Sequence, residues 1–337
     1  MKKLSALIPA LFFFIFAATA DAAFPEKDIR IIVPFGPGGG VDVTVRMLAE
    51  VAPRYLNNRQ LIVENVADDG TVLGQTAAAE AAPDGYTLLS YTTSVVSNPI
   101  EKATVFSYKD FKIIIMYCFD PEVLVVPAGS PYADLKSFIA AEKMPLNIAT
   151  SGDSTTHHIA SRMMEKHFKL DFVNIHTPSA PYQVAKLTGG EADGAMMSLG
   201  ETMRYVKDGS VRMLGIMSDA AYDGAENLAR FSGLGFTTEW GSFRGVAAPA
   251  GTPESIVAFL KKAFEGMVND PLFLKRMKEN EYPVVVKTAE EFGSYVDGVA
   301  AYLKQVLPSL RKTKLLRGAK INIMTTPVED YGVLNIQ

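Results

Sequence analysis

The chain has 337 residues, 48% of them hydrophobic, with a single cysteine and a formal net charge of −4. One cysteine forms no internal disulfide, so the fold must rest on its core. The charge is slight and interspersed, which excludes nucleic acid and anionic membrane surfaces as its main partners.

The N-terminus reads as an address. Lys2 and Lys3 precede a run from Leu7 to Ala18 that is apolar or small apart from Pro9, and Ala20-Asp21-Ala22 follows. This is the pattern of a secretory signal peptide over residues 1–22, with the mature chain starting near Ala23. The run is shorter than the ~20 apolar residues a membrane helix requires. No cysteine lies there for lipid attachment. The expected product is exported and soluble, most simply periplasmic. Its remaining length of about 310 residues suits two domains.

The next feature is the most informative. A short apolar strand, Ile29 to Val33, runs into Pro34-Phe35-Gly36-Pro37-Gly38-Gly39-Gly40, and an amphipathic helix follows from Val41 to Leu56. The first amides of a helix lack internal partners, and the macrodipole makes that end positive. Glycines let an anion approach those amides. No Gly-Lys-Ser/Thr follows, and Gly36-x-Gly38-x-Gly40 has the wrong spacing for a dinucleotide fingerprint. Asp42, in the first turn, suits the dipole as readily as it would suit a ligand cation.

Further along, Gln60 to Glu64 reads as a strand, Val72 to Ala82 as a helix and Thr87 to Tyr91 as a strand. Tyr91, Thr92 and Thr93 end that strand, where ligands of α/β sheets bind, and their hydroxyls suit a carboxylate. Ile113 to Met116 and Val123 to Val126 read as two more strands, with Cys118 between them as a small hydrophobe. Leu135 to Lys143 reads as a helix and Leu146 to Ala149 as a strand. Ser151-Gly152-Asp153-Ser154-Thr155-Thr156 then opens a second helix, running to Phe168. Two such helix N-termini in two halves of one chain predict a cleft that grips one anion from both sides.

Phe172 to His176, Ala195 to Met197, Val211 to Ser218 and Gly245 to Ala248 complete the strands, with a helix from Ala180 to Leu187. This alternation means α/β layers with mainly parallel pairing. The C-terminal third is helical. Thr252-Pro253, Asn269-Asp270-Pro271 and the capping box Thr288-Ala289-Glu290-Glu291 each start a helix. The tail beyond Leu316 matches no element.

The candidate chemistry is sparse. His157 and His158 point about 100° apart on a helix, and His167 and His176 have no ligand spacing to them, so no metal site is expected. No cofactor motif is present. Ser154 with His157 would suit a hydrolase, but no nucleophile elbow surrounds the serine. Ser154 reads instead as a helix-cap donor and His157 as a support. Asp153 either caps the helix or faces ligand. Met197 is either core or an apolar wall.

Seven collinear motifs resemble the substrate-binding proteins of tripartite tricarboxylate transporters, the Bug or TctC family. They are Phe24-Pro25-x-Lys27-x-Ile29-Arg30-Ile31-Ile32-Val33-Pro34-Phe35 with Pro37-Gly38-Gly39 and Asp42; Val63-Glu64-Asn65; and Ala82-Pro83-Asp84-Gly85-Tyr86-Thr87-Leu88-Leu89. Asn98-Pro99, Ser151-Gly152 with Thr156-His157, Gly189-Gly190-x-x-Asp193, and Ala248-Pro249-Ala250-Gly251-Thr252-Pro253 follow. The resemblance spans roughly Phe24 to Leu310. It implies a two-lobe periplasmic binding protein fold, type II-like, with two crossover strands and the ligand cleft between lobes. Lobe one would comprise residues 24–124 plus 246–337, and lobe two residues 125–245. It also implies a small organic carboxylate as ligand, integral membrane transporter subunits as partners and no catalysis. A monomer is expected.

The chain departs from the family at Asp68-Asp69-Gly70-Thr71, at His176-Thr177-Pro178-Ser179 and at Met197-Ser198-Leu199. The three candidate loops contain no Lys or Arg, and an ion-pair site ordinarily recruits arginine. The expected ligand is therefore a monocarboxylate with an apolar or aromatic body. Ligand presentation to a sensor, and a hydrolase using Ser154 and His157, are the rival readings.

Overall fold

The computed structural model describes residues 24–311. The signal peptide read at residues 1–22 and the tail beyond Leu316 lie outside the described residues.

The strands are β1 (Ile29–Val33), β2 (Leu61–Asn65), β3 (Thr87–Thr92), β4 (Phe111–Pro127), β5 (Leu146–Thr150), β6 (Phe172–His176), β7 (Gly194–Ser198), β8 (Val211–Ile216) and β9 (Gly241–Pro249). The α-helices are α1 (Gly40–Val51), α2 (Val72–Ala79), α3 (Thr93–Glu101), α4 (Leu135–Ile139), α5 (Thr156–Phe168), α6 (Ala180–Thr188), α7 (Leu199–Lys207), α8 (Glu254–Val268), α9 (Pro271–Glu279) and α10 (Ala289–Val306). The sheet order is β2-β1-β3-β9-β4-β7-β5-β6, with β8 also on β4. Strands β2, β1 and β3 are parallel, as are β6, β5 and β7. Antiparallel β9 and β4 join the two sets.

The sequence suggests two strands where β4 is a single strand of 17 residues. Asp120, Pro121 and Glu122 interrupt the apolar pattern, yet both acids are fully buried. From Phe111 to Pro121 this strand pairs with β9; from Glu122 onward it pairs with β7 and β8. Helix α4 stops at Ile139, short of the expected Lys143. Helices α3 and α7 are absent from the sequence reading. Each starts directly at the end of a strand, and α3 contains Pro99, so neither is announced by a turn.

Helices cover both faces. Side chains alternate across a strand, so Val123 and Val125 pack in one cluster, Leu124 and Val126 in another. The second cluster runs continuously under both halves of the sheet, from Leu89 and Phe292 to Phe138 and Met164. This continuous core fixes the carboxyl ends of β1, β5, β6 and β7, each of which leads to a helix: α1, α5, α6 and α7.

Candidate functional site

The four residues that precede those helices are Gly39, Thr155, Ser179 and Ser198. All four line one cavity, together with Phe35, Val41, His157, Glu201, Ser242 and Arg244. Its volume is about 20 Å³, room for roughly one water. A cleft outside the carboxyl ends of α/β strands is where such sheets bind ligands. Here the positive ends of four helices converge on it.

Five buried ionisable groups sit against this cavity: Asp120, Glu122, His157, Glu201 and Arg244. The Arg244 Nη2 lies 2.7 Å from Asp120 Oδ2, and the Gly200 amide donates to Asp120 Oδ1 at 2.8 Å. His157 lies between two carboxylates: Nδ1 is 2.8 Å from Glu122 and Nε2 is 2.9 Å from Glu201. Glu201 also accepts from the Ser198 amide and, across the cleft, from the Gly40 amide, both at 3.0 Å. A carboxylate of the chain thus already sits on the anion-binding end of α1.

The protonation states follow from burial and partners. Burial disfavours the His157 cation, but Glu122 and Glu201 outweigh it and hold its pKa up at about 10. Burial would raise Glu201, but His157 brings it down to about 2. Burial lifts Asp120 to about 6 despite the neighbouring Arg244. Two residues that line the cavity each hold a buried donor with no acceptor: the Ser198 hydroxyl, whose oxygen caps the Glu201 amide, and Arg244 Nε. An unpaired buried donor costs about 1–3 kcal/mol.

Of the residues singled out in the sequence, Phe35, Gly39, Ser151, Thr155, His157 and Ser198 meet at the cavity. Others hold its walls. Gly36 donates its amide to the Pro178 carbonyl, and Ser179 and Arg204 donate to the carbonyls of Pro37 and Gly38. Asp42 is buried and accepts from the Gly38 amide, Arg46 and Asn65. It braces the loop from behind. Tyr91 is core, donating to the Tyr108 carbonyl; the Thr92 hydroxyl pairs with Ser94, and Thr93 is buried beside it. Met197 and Leu199 belong to the core under α6 and α7 and do not line the cavity.

The Gly152–Ser154 edge contacts the opposite half. Ser97 donates to the Ser154 carbonyl at 2.6 Å, and Lys102 to the Asp153 carbonyl at 3.0 Å. The Ser154 hydroxyl donates to Glu101, and Asp69 accepts from the Asp153 amide. Both His157 nitrogens already face carboxylates, so none is left to take a proton from Ser154. The fold does join histidines that the sequence spacing left apart. Asp153, His158 and His176 place ligand atoms within 4.8 Å of one another, the metal-compatible set among the described residues. Their Nδ1 atoms are engaged, by the Ser154 amide and the Thr150 hydroxyl.

Gly40, part of the first glycine loop, also lines the cavity, whereas the sequence reading did not single out Ser179, Glu201, Ser242 and Arg244 as site residues. Two signals were available. Ser198-x-x-Glu201 has the spacing of a capping box, and Arg244 interrupts an apolar strand. Arg244 also corrects the argument that no arginine serves the site: the loops lack one, and β9 supplies it.

Residues 44–310 match the family model described as the tripartite tricarboxylate transporter family receptor. The chain belongs to this family. It is 29% identical over 266 residues to the UPF0065 protein in the tcbD-tcbE intergenic region of a Pseudomonas species, covering 76% of this chain and 78% of that one. Among solved structures it resembles the periplasmic binding protein BugD, with TM-score 0.80 and 23% identity over 85% of this chain and 98% of the other. It also resembles MatC from Rhodopseudomonas palustris with bound malate, with TM-score 0.78 and 21% identity over 84% and 100% of the two chains. These likenesses establish the two-lobe periplasmic binding protein fold. As a receptor of the tripartite tricarboxylate transporter family, the chain has a solute-binding role. No helix among the described residues is long and apolar enough to cross a membrane.

Proposed function

We propose that this receptor works in the periplasm as a monomer, captures one small organic carboxylate between its lobes and delivers it to a membrane transporter. The lobes we propose are residues 24–124 plus 246 onward, and 125–245. The change of partner along β4 between Pro121 and Glu122 is consistent with a crossing near that point. The reading is carried by one observation: four helix N-termini, with Ser198 and Arg244 offering unpartnered donors, converge on one cavity. MatC, a structure of the same fold, holds malate. Contacts from both halves to one anion favour the closed form by differential affinity, which is how hinge closure follows ligand.

A thermal-shift screen of small carboxylic acids and their uncharged amides tests this. Ligand raises the melting temperature by binding the folded state alone. The expected result is a shift with an acid and none with its fully amidated analogue, at one ligand per chain and without turnover. A screen in which no acid binds, or hydrolysis of carboxyl esters that Ser154→Ala abolishes, would overturn the reading.

A further inference from the structure

We infer that Glu201 restricts this site to ligands that bring a single carboxylate into it, so that a dicarboxylate is discriminated against. The inference rests on the carboxylate reading above and names the charge of the ligand that the same site accepts.

The geometry shows a carboxylate receptor already half filled. Glu201 spans the cleft. It occupies the first amide of α1 at 3.0 Å and the inward nitrogen of His157 at 2.9 Å. Those are the donors a second ligand carboxylate would need. What stays open around the cavity is the first turn of α5, the Ser198 hydroxyl and Arg244 Nε. That set matches one carboxylate.

A dicarboxylate would bring its second negative charge beside Glu201, which His157 keeps ionised, and the low dielectric of the buried site strengthens that repulsion.

Calorimetric titration of wild type and Glu201→Gln decides the matter. The probes are dicarboxylates of three to six carbons and their monoamides, which match in shape and differ by one charge. Wild type is expected to bind its preferred monoamide at least tenfold more tightly than the matched dicarboxylate, and Glu201→Gln to narrow or reverse that ratio. Equal or tighter binding of the dicarboxylate by wild type overturns the inference and leaves the carboxylate reading intact. So does a ratio that Glu201→Gln does not change. Failure of wild type to bind either member of any pair counts against the carboxylate reading itself. If Glu201→Gln does not fold, the wild-type ratio alone decides.

Discussion

Replacing Gly40 by alanine adds one methyl group at the most crowded point of the site. The new Cβ would overlap Arg244 Nη2, stand 2.9 Å from its Cζ and lie 3.1 Å from Glu201 Oε2. Arg244 is among the largest fully buried side chains and has little room to withdraw. In an open helix the change from glycine to alanine would stabilise by about 0.5–1 kcal/mol. Overpacking a tight interior costs about 1–3 kcal/mol, and forcing Arg244 off Asp120 would approach the ~3–5 kcal/mol of a broken buried pair. Crowding therefore wins: the ~1–3 kcal/mol of overpacking, less the ~0.5–1 kcal/mol gain and with some loosening of the pair added, leaves a net loss of about 1–2 kcal/mol. At roughly 2–4 °C per kcal/mol for large domains, Gly40→Ala should melt several degrees below wild type. Gly39→Ala is the control. Its Cβ has one tight contact, Ser179 Cβ at 3.2 Å, which tenths of an ångström relieve, and ordinary contacts with Ala180 N and Gly36 O at 3.8 Å. Differential scanning calorimetry of both variants is the assay. A Gly40→Ala protein as stable as wild type would refute the packing of Arg244 and Glu201 onto the first turn of α1.

Ser198→Ala removes a buried hydroxyl that donates to no partner but caps the Glu201 amide; ligand-free stability should fall by about 1 kcal/mol, while affinity for the carboxylate falls by a further ~1–2 kcal/mol. Unchanged affinity in a calorimetric titration would remove Ser198 from the site. Arg244→Leu should destabilise by about 3–5 kcal/mol because Asp120 is left buried and unpaired. Urea unfolding should show much of that loss recovered in the Arg244→Leu/Asp120→Leu double variant, and no recovery would contradict the pairing. His157 has a folded pKa of about 10, above its ordinary 6.5, so its contribution is complete below pH 6.5 and is lost as pH rises through 10. Glu201, at about 2 against an ordinary 4.5, contributes above pH 4.5 and loses that contribution as pH falls toward 2. Wild-type stability should therefore decline from pH 6.5 to 10 by more than that of His157→Gln; parallel curves would show that His157 is not charged in the fold.

The layered α/β order and most strands were legible because β1, β5 and β6 are short apolar runs ended by turn residues. The long β4 was not, because buried acids look like surface acids until their partners are known. Asp120 and Glu122 are paired by Arg244 and His157, which lie 124 and 35 residues away. The two glycine loops were legible as helix N-termini, and both supply lining residues. Gly38 and Gly39 looked equivalent, but only Gly38 has positive φ, at 79°. Valine at Gly38 would therefore strain the backbone itself, so lost binding there would come with lost stability. The start of α6 at Ala180 was read as a helix but not as part of the site, and the start of α7 was hidden. Ser179 and Ser198 carry no glycine signature, and their convergence with Gly39 and Thr155 is a product of strand order, which a sequence read alone does not supply. Of the two readings of Met197, core or apolar wall, the structure supports core, because alternation along β7 turns that side chain inward.

The central claim concerns one cavity and one anion. It is tested most directly by a crystal structure of the protein with the acid that raises its melting temperature most. The account predicts a ligand carboxylate among the N-termini of α1, α5, α6 and α7, with an oxygen in hydrogen-bond reach of the Ser198 hydroxyl or Arg244. A ligand bound elsewhere, with Ser198 and Arg244 still unpartnered, would contradict it.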